Sequence, residues 1–301
     1  MISIIICSRK PDISEELKNN IRETIGLEYE LIIVDETLHH QSIFTAYNYG
    51  IDRAKYHTLC LMHDDILFHT PQWGQVVQEH LNDHSVGFIG IAGGTLIPRV
   101  PSLWTFGEHY KHLLQYVKKK GTSEMQDFGN FKNNNFLPVV ALDGVFLACR
   151  KELFDSIRFD EQTFKDFHCY DLDICLQAHM LGYENRVINN LLLEHFSKGK
   201  LNKSWVENQL ISWRKWRSKM PAYLTQLSEE DLLNKEIFYM ENSFTKRMIR
   251  CGFSNKAILD VFKEYNELVT PEATHLASIN RMRLTWIRLM KRPLSLFQKG
   301  Y

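Results

Sequence analysis

Thr58-Leu59-Cys60-Leu61-Met62 runs directly into His63-Asp64-Asp65-Ile66, so an apolar stretch is broken by a histidine and two carboxylates. A run this short, apolar at successive rather than alternate positions, reads as a strand covered on both faces. Such strands build parallel sheets flanked by helices, and those sheets bind ligands beyond the carboxyl ends of their strands. His63, Asp64 and Asp65 occupy that end. Adjacent carboxylates repel and raise each other's pKa unless a cation is near. A divalent ion bridging diphosphate oxygens needs only one or two carboxylates from the protein. An Asp-Asp turn leading into a loop explains the same residues without a ligand.

Runs of the same kind flank it: Ile2 to Cys7 and Leu31 to Val34 before, Val86 to Ile91 after, then Val139 to Cys149, interrupted at Asp143-Gly144, and Leu191 to Leu193 entering His195. Helical patterns fill the gaps. Asp12 with Glu15 three residues on predicts a capped start, and Gly26 a stop. A second helix is expected over Ile43 to Lys55, a third from Thr70-Pro71, and a fourth from about Asp171 to Gly182. Strand and helix in alternation predict an α/β domain with a mostly parallel sheet. From about 94 to 138 periodicity fades, around Trp104, Gly121, Gly129 and Asn133 to Asn135, which predicts an irregular lid or acceptor loop. Past Lys200 only helical patterning remains, with starts at Ser228, Ser254 and Thr270-Pro271. The expected domains are therefore 1–219 and a helical section, 220–301.

Composition narrows the function classes. The 301 residues carry 36 Lys+Arg against 36 Asp+Glu, so no global positive field favours nucleic acid. No stretch approaches the ~18 apolar residues of a spanning helix, and Met1 to Cys7 lacks a signal-peptide pattern, so a cytoplasmic protein is expected. Six cysteines without a C-x-x-C pair read as reduced thiols, most of them in the core, rather than a zinc site or disulfides.

The other strand ends add chemistry. Ser8-Arg9-Lys10-Pro11 follows the first strand without a G-x-G-x-x-G, which removes the main sign of a dinucleotide site. Asp35 follows the second, as a turn carboxylate or a contact to a base or ribose. In the fourth helix Leu172, Cys175, Leu176 and His179 form a core stripe, leaving Asp171 and Asp173 at its exposed start, where N-capping and proton acceptance are compatible. The helix field is expected to keep Asp171 ionised. His195 is a core histidine unless its strand lies beside the one ending at Asp65.

In order, Ser3 to Ser8, Asp35, Tyr47 to Ile51 ahead of Ala54-Lys55, His63-Asp64-Asp65, Val86 to Gly93, Asp143 to Phe146, Phe159-Asp160-Glu161, Tyr170 to Asp173 and His195 resemble the nucleotide-sugar-dependent glycosyltransferases of the GT-A fold, specifically the family-2-like group. The resemblance covers Met1 to Lys219. It implies a Rossmann-like, mostly parallel sheet with flanking helices, followed here by the α-helical C-terminal section. It also implies an inverting transfer, serving polysaccharide biosynthesis, from a nucleoside diphosphate sugar, UDP being the expected nucleotide, to a glycan or lipid-linked acceptor. Ser8, Arg9, Asp35, Asn48 and Asp64 would bind the donor; Trp104, Asp143, Gly144, His168 and Tyr170 would face the acceptor. Asp65 and His195 would hold Mn2+ or Mg2+, and Asp171 would be the base, with Asp173 the alternative. His63 stands where the first acid of the usual Asp-x-Asp would be, and Tyr170 where a Glu often precedes the catalytic Asp. A sugar-binding relative without activity and a nucleotidyltransferase are the competing classes, the second set back by the lack of glycine in Ser8 to Pro11.

Trp213 and Trp216 fall at helical spacing and are expected in the core, whereas Trp104 suits packing and sugar stacking equally. Arg281 to Arg292 combines five basic residues with Leu284, Trp286 and Ile287, a pattern for either a packed helix or a peripheral contact with an anionic membrane.

Overall fold

A computed structural model of the chain describes residues 1–35, 42–131, 134–197, 199, 201–225 and 227–269. The chain divides into two compact units, Met1–Gln226 and Leu227–Tyr301, against the 219/220 boundary expected from patterning.

The first unit opens with β1 (Ile2–Ser8), α1 (Glu15–Thr24), β2 (Tyr29–Asp35), α2 (Ile43–Arg53), β3 (Thr58–Met62), β4 (Ile66–Phe68) and α3 (Trp73–Leu81). The caps differ from expectation at two helices. Ser14, not Asp12, caps α1 by accepting the Leu17 N–H, while Asp12 accepts the Ile13 N–H and pairs with Lys18. Thr70-Pro71 lies in the turn before α3, which starts after Gln72 at φ 58°, and the Thr70 hydroxyl accepts the Leu192 N–H instead.

Next come β5 (Val86–Gly90), β6 (Ala92–Gly94), β7 (Leu96–Ile97), β8 (His109–Val117), β9 (Thr122–Phe128), β10 (Phe136–Val139), β11 (Ala141–Leu142) and β12 (Phe146–Arg150). The 94–138 segment is thus not irregular: it is mainly a β8–β9 hairpin in register from Lys111↔Phe128 to Val117↔Thr122. Its strands bury little, with β8 half-buried at all but one position, so no alternation marks them. The unit ends with α4 (Tyr170–Met180), β13 (Glu184–Ile188), β14 (Leu193–His195), α5 (Lys203–Trp216) and β15 (Ala222–Tyr223).

The main sheet has seven strands in the order β10-β13-β5-β12-β3-β1-β2. β1, β2, β3 and β5 run in one direction, as the apolar runs predict; β13, which no apolar run marked, runs with them, while β12 and β10 run against them. This reversal matters for the site. Because β12 pairs antiparallel with β3, Phe146 opposite Met62, the loop that enters β12 meets the loop that leaves β3. A second sheet, β11-β6-β8-β14-β4 with β9 on β8, brings β14 antiparallel to β4, His195 opposite Ile66. The core is continuous across β1, β3, β5 and β12, whose apolar side chains are almost wholly excluded from solvent; burying each large one contributes about 1.5–3 kcal/mol.

The second unit contains α6 (Glu229–Tyr239), a π turn (Met240–Phe244), α7 (Thr245–Arg250) and α8 (Asn255–Asn266). Ser228 and Ser254 cap α6 and α8 as the sequence predicts, accepting the N–H groups of Asp231 and Ala257. Buried Glu236 accepts the Tyr265 hydroxyl at 2.9 Å. The start expected at Thr270-Pro271 and the basic stretch Arg281 to Arg292 lie outside the described residues. All six cysteines are free, four of them buried.

Candidate active site

The two loops joined by the β3–β12 pairing carry most of the polar groups. The His63 N–H donates to the Val145 carbonyl at 3.1 Å, and the Phe196 N–H donates to the Asp65 carbonyl at 3.0 Å, so the ends of β3, β12 and β14 are stitched at one point. Gln115 of β8 anchors the third, donating to the carbonyls of His195 and Ser197 at 2.9 and 2.8 Å. The strand of His195 does not lie beside the one leading into Asp65, as the sequence condition required; β14 pairs instead with β4, which begins just after Asp65, and that pairing still brings His195 to Asp65.

His63, Asp65 and His195 each offer one donor atom, and the three atoms lie within 4.8 Å of one another. The Asp65 Oδ1 is 3.7 Å from His63 Nδ1 and 3.5 Å from His195 Nε2. Burial, then the neighbouring His195, push the His63 pKa down, so this imidazole is neutral at pH 7 and carries a lone pair. Burial works to raise the Asp65 carboxyl, but hydrogen bonds from His195 and Ser197 and the charges of both histidines hold it below the usual range. A neutral imidazole and an ionised carboxylate are the forms a divalent cation takes as ligands, so the residues fit such an ion. His63, which the sequence reading treats as a departure from an acidic motif, is brought in as a third donor. Histidine is itself a common metal ligand, and that was the available signal.

Beside this cluster is a cleft of about 150 Å³ lined by His63, Trp104, Asp143, Gly144, Tyr170, Asp171 and Trp205, among others. Cys169, held at φ 70°, turns the chain into α4 without a side-chain cap, and the next two residues deliver Tyr170 and Asp171 to the cleft. A non-glycine in this region is strained, and such strain collects where a loop must aim functional groups. Asp171 accepts the Leu172 N–H at 2.8 Å and the Gly144 N–H at 3.0 Å. Burial first, and Asp143 second, raise its pKa to about 7, contrary to the expectation that the helix field keeps it fully ionised. A carboxyl with that pKa is balanced between accepting and releasing a proton at neutral pH.

Residues 3–221 match the family described as "Glycosyltransferase like family". The chain belongs to this family. No curated protein matches the glycosyltransferase. Among solved structures it is similar to A197 from STIV, at 13% identity and a TM-score of 0.38, over 65% of this chain and 86% of that one. It is also similar to GalNAc-T7, solved with UDP, GalNAc and Mn2+, at 10% identity and a TM-score of 0.47 over 84% of this chain; the glycosyltransferase spans 58% of that protein's length.

The other expected site residues divide into two groups. Ser8 donates to Asp64 at 2.7 Å and pairs in register with Asp35, so these three share one sheet edge. The Arg9 guanidinium lies 5.9 Å from the centre of the Phe167 ring, and Phe167 and His168 line the cleft. Trp104 is buried and lines the cleft with its indole N–H donated to Asp143 at 3.2 Å. Asn48 is a correction: its amide is committed to both backbone groups of Phe159 and to Glu161, fastening α2 to that loop rather than facing a donor. Asp173 is a second correction. It is fully buried, not exposed, and its carboxylate meets Lys215 Nζ and the Trp216 indole N–H, each at 2.7 Å, and Gln177 at 2.8 Å. The i, i+2 spacing turns Asp173 away from Asp171 on the helix. Trp213 and Trp216 are buried, as expected.

Proposed function

We propose that this glycosyltransferase transfers a sugar from a nucleoside diphosphate sugar, with UDP as nucleotide, to a hydroxyl of a glycan or lipid-linked acceptor, with inversion. The observation that carries this reading is the placement of Asp171, with its pKa of about 7, in a cleft bordered by the His63–Asp65–His195 cluster. Asp171 takes the acceptor's proton as the acceptor oxygen bonds to the anomeric carbon; the bond from that carbon to the diphosphate breaks, its electron pair leaving with the diphosphate. One base on one side of the sugar makes this a single displacement, hence inversion. General-base help of this kind is worth ~10²–10⁴ in rate.

His63, Asp65 and His195 would hold the divalent cation, which when bound supplies Lewis-acid stabilisation of charge on the leaving group. Two imidazoles and one carboxylate suit a transition ion, so Mn2+ is favoured over Mg2+. Ser8 orients Asp64, and with Asp35 and Arg9 these form the donor side. Trp104, by bonding Asp143, keeps that carboxylate beside Asp171.

The test is release of nucleoside diphosphate from a donor panel, with Mn2+ and with Mg2+, in the unaltered chain and in Asp171→Asn. Turnover with a UDP-sugar and Mn2+, lost in the variant while donor binding persists, is expected. Full transfer by Asp171→Asn would remove Asp171 as the base, and equal donor affinity with and without Mn2+ would remove the metal assignment. The basic composition of 281–292 supports a peripheral contact with the inner face of a membrane, beside a lipid-linked acceptor.

A further inference from the structure

Tyr170 makes two hydrogen bonds whose directions are determined by their partners. Its hydroxyl lies 2.9 Å from the Gly144 carbonyl oxygen and 3.0 Å from His63 Nε2. A carbonyl only accepts, so the single phenolic proton goes to Gly144. Toward His63 the tyrosine oxygen is then the acceptor, and Nε2 must carry the ring proton. A neutral imidazole protonated at Nε2 has its lone pair on Nδ1, the atom 3.7 Å from Asp65 Oδ1.

The tyrosine ring has little freedom to do otherwise. It is buried among Phe44, Tyr47, Phe159 and Phe167, with ring centroids 5.5 to 6.5 Å away. Gly144 completes the arrangement, since a Cβ there would fall 2.2 Å from the Tyr170 hydroxyl, and its own N–H donates to Asp171 at 3.0 Å. Both backbone groups of one glycine therefore bind the proposed base on one side and the partner of His63 on the other.

We propose that Tyr170 is a positioning residue for a divalent cation: by donating to Gly144 and accepting from His63, it holds His63 with its Nδ1 lone pair turned toward Asp65 and His195. The assignment rests on the metal-assisted reading above and concerns a residue standing where an acid is more usual. Groups that fix the tautomer of a ligating histidine raise its basicity, and their loss weakens metal binding by roughly 10–100-fold.

The test uses the full chain, metal-free, with ¹⁵N-labelled histidine and long-range ¹H–¹⁵N correlation, His63→Gln assigning the signal. His63 should be the Nε2–H tautomer in the unaltered chain and a mixture in Tyr170→Phe, which keeps the ring. Binding of Mn2+ alone, followed by the paramagnetic resonance of the free ion, should weaken roughly 10–100-fold in Tyr170→Phe. An Nδ1–H tautomer in the unaltered chain overturns the proposal whether or not the variant folds, as do an unchanged tautomer and Mn2+ affinity in Tyr170→Phe. Mn2+ that binds His63→Gln as tightly as the unaltered chain overturns it while leaving the metal reading standing. An unaltered chain that binds no Mn2+ even with UDP present removes both.

Discussion

Asp171 is pulled in two directions by its neighbours. Burial and the Asp143 charge raise its pKa to about 7, against the Leu172 and Gly144 N–H groups that favour the carboxylate. Since the base must be deprotonated, kcat/KM should rise with pH along a limb centred near 7. Replacing Asp143 with Asn removes a negative neighbour, makes the Asp171 carboxylate easier to form, and should move that limb to lower pH; a limb that stays in place would detach it from this pair. Asp173 answers differently. Asp173→Ala leaves Lys215, Trp216 and Gln177 without their shared acceptor, and should lower stability by about 1.5–3 kcal/mol in urea unfolding. Asp65, Asp171 and His195 were legible because each ends an apolar run or opens a helix. The separate fates of Asp171 and Asp173 were not, because Lys215, which holds Asp173, lies far away in sequence. Asn48 misled for the same reason, its partner Phe159 being 111 positions on.

Among elements, α2 shows how packing limits substitution. Gly50 lets this helix lie close on β1, where a Cβ would meet the Ile5 Cγ2 at 2.4 Å. Gly50→Ala would gain in helix propensity, but the clash is with a fully buried side chain. The net result should be destabilisation of about 1–3 kcal/mol, read as a lower urea midpoint with an unchanged slope. In the main sheet β1, β3, β5 and β12 were legible as runs apolar at successive positions because they are covered on both faces, whereas Glu184, Asn185 and Arg186 hid β13. The β8–β9 hairpin was not: Thr122-Ser123-Glu124-Met125-Gln126-Asp127-Phe128 buries neither face, so it carries neither the alternating nor the continuous apolar signature of a strand. The reversal of β12 was equally hidden, since an apolar run does not record its direction. That direction places Asp143 and Gly144 beside His63 rather than at the far end of the sheet.

For the whole molecule, every described residue of the candidate site falls within Met1–Gln226. A chain ended at Gln226 should therefore keep donor hydrolysis in solution. Full-length protein, carrying the basic 281–292 stretch, should co-sediment with anionic vesicles at low salt, and the shortened chain should not. Loss of hydrolysis on truncation, or equal vesicle binding by both, would contradict this division of labour. The topology has a kinetic side as well. The cation cluster joins His63 and Asp65 to a histidine 130 or more positions later, and the cleft adds residues from loops in between. Contacts so distant along the chain close late, after nearby ones have formed. A ribosome that has released only the first four strands has made most of the donor edge and none of the third ligand. Ion affinity in a refolding or nascent chain should thus return with the last structural step, which would make it a direct clock for completion of this fold.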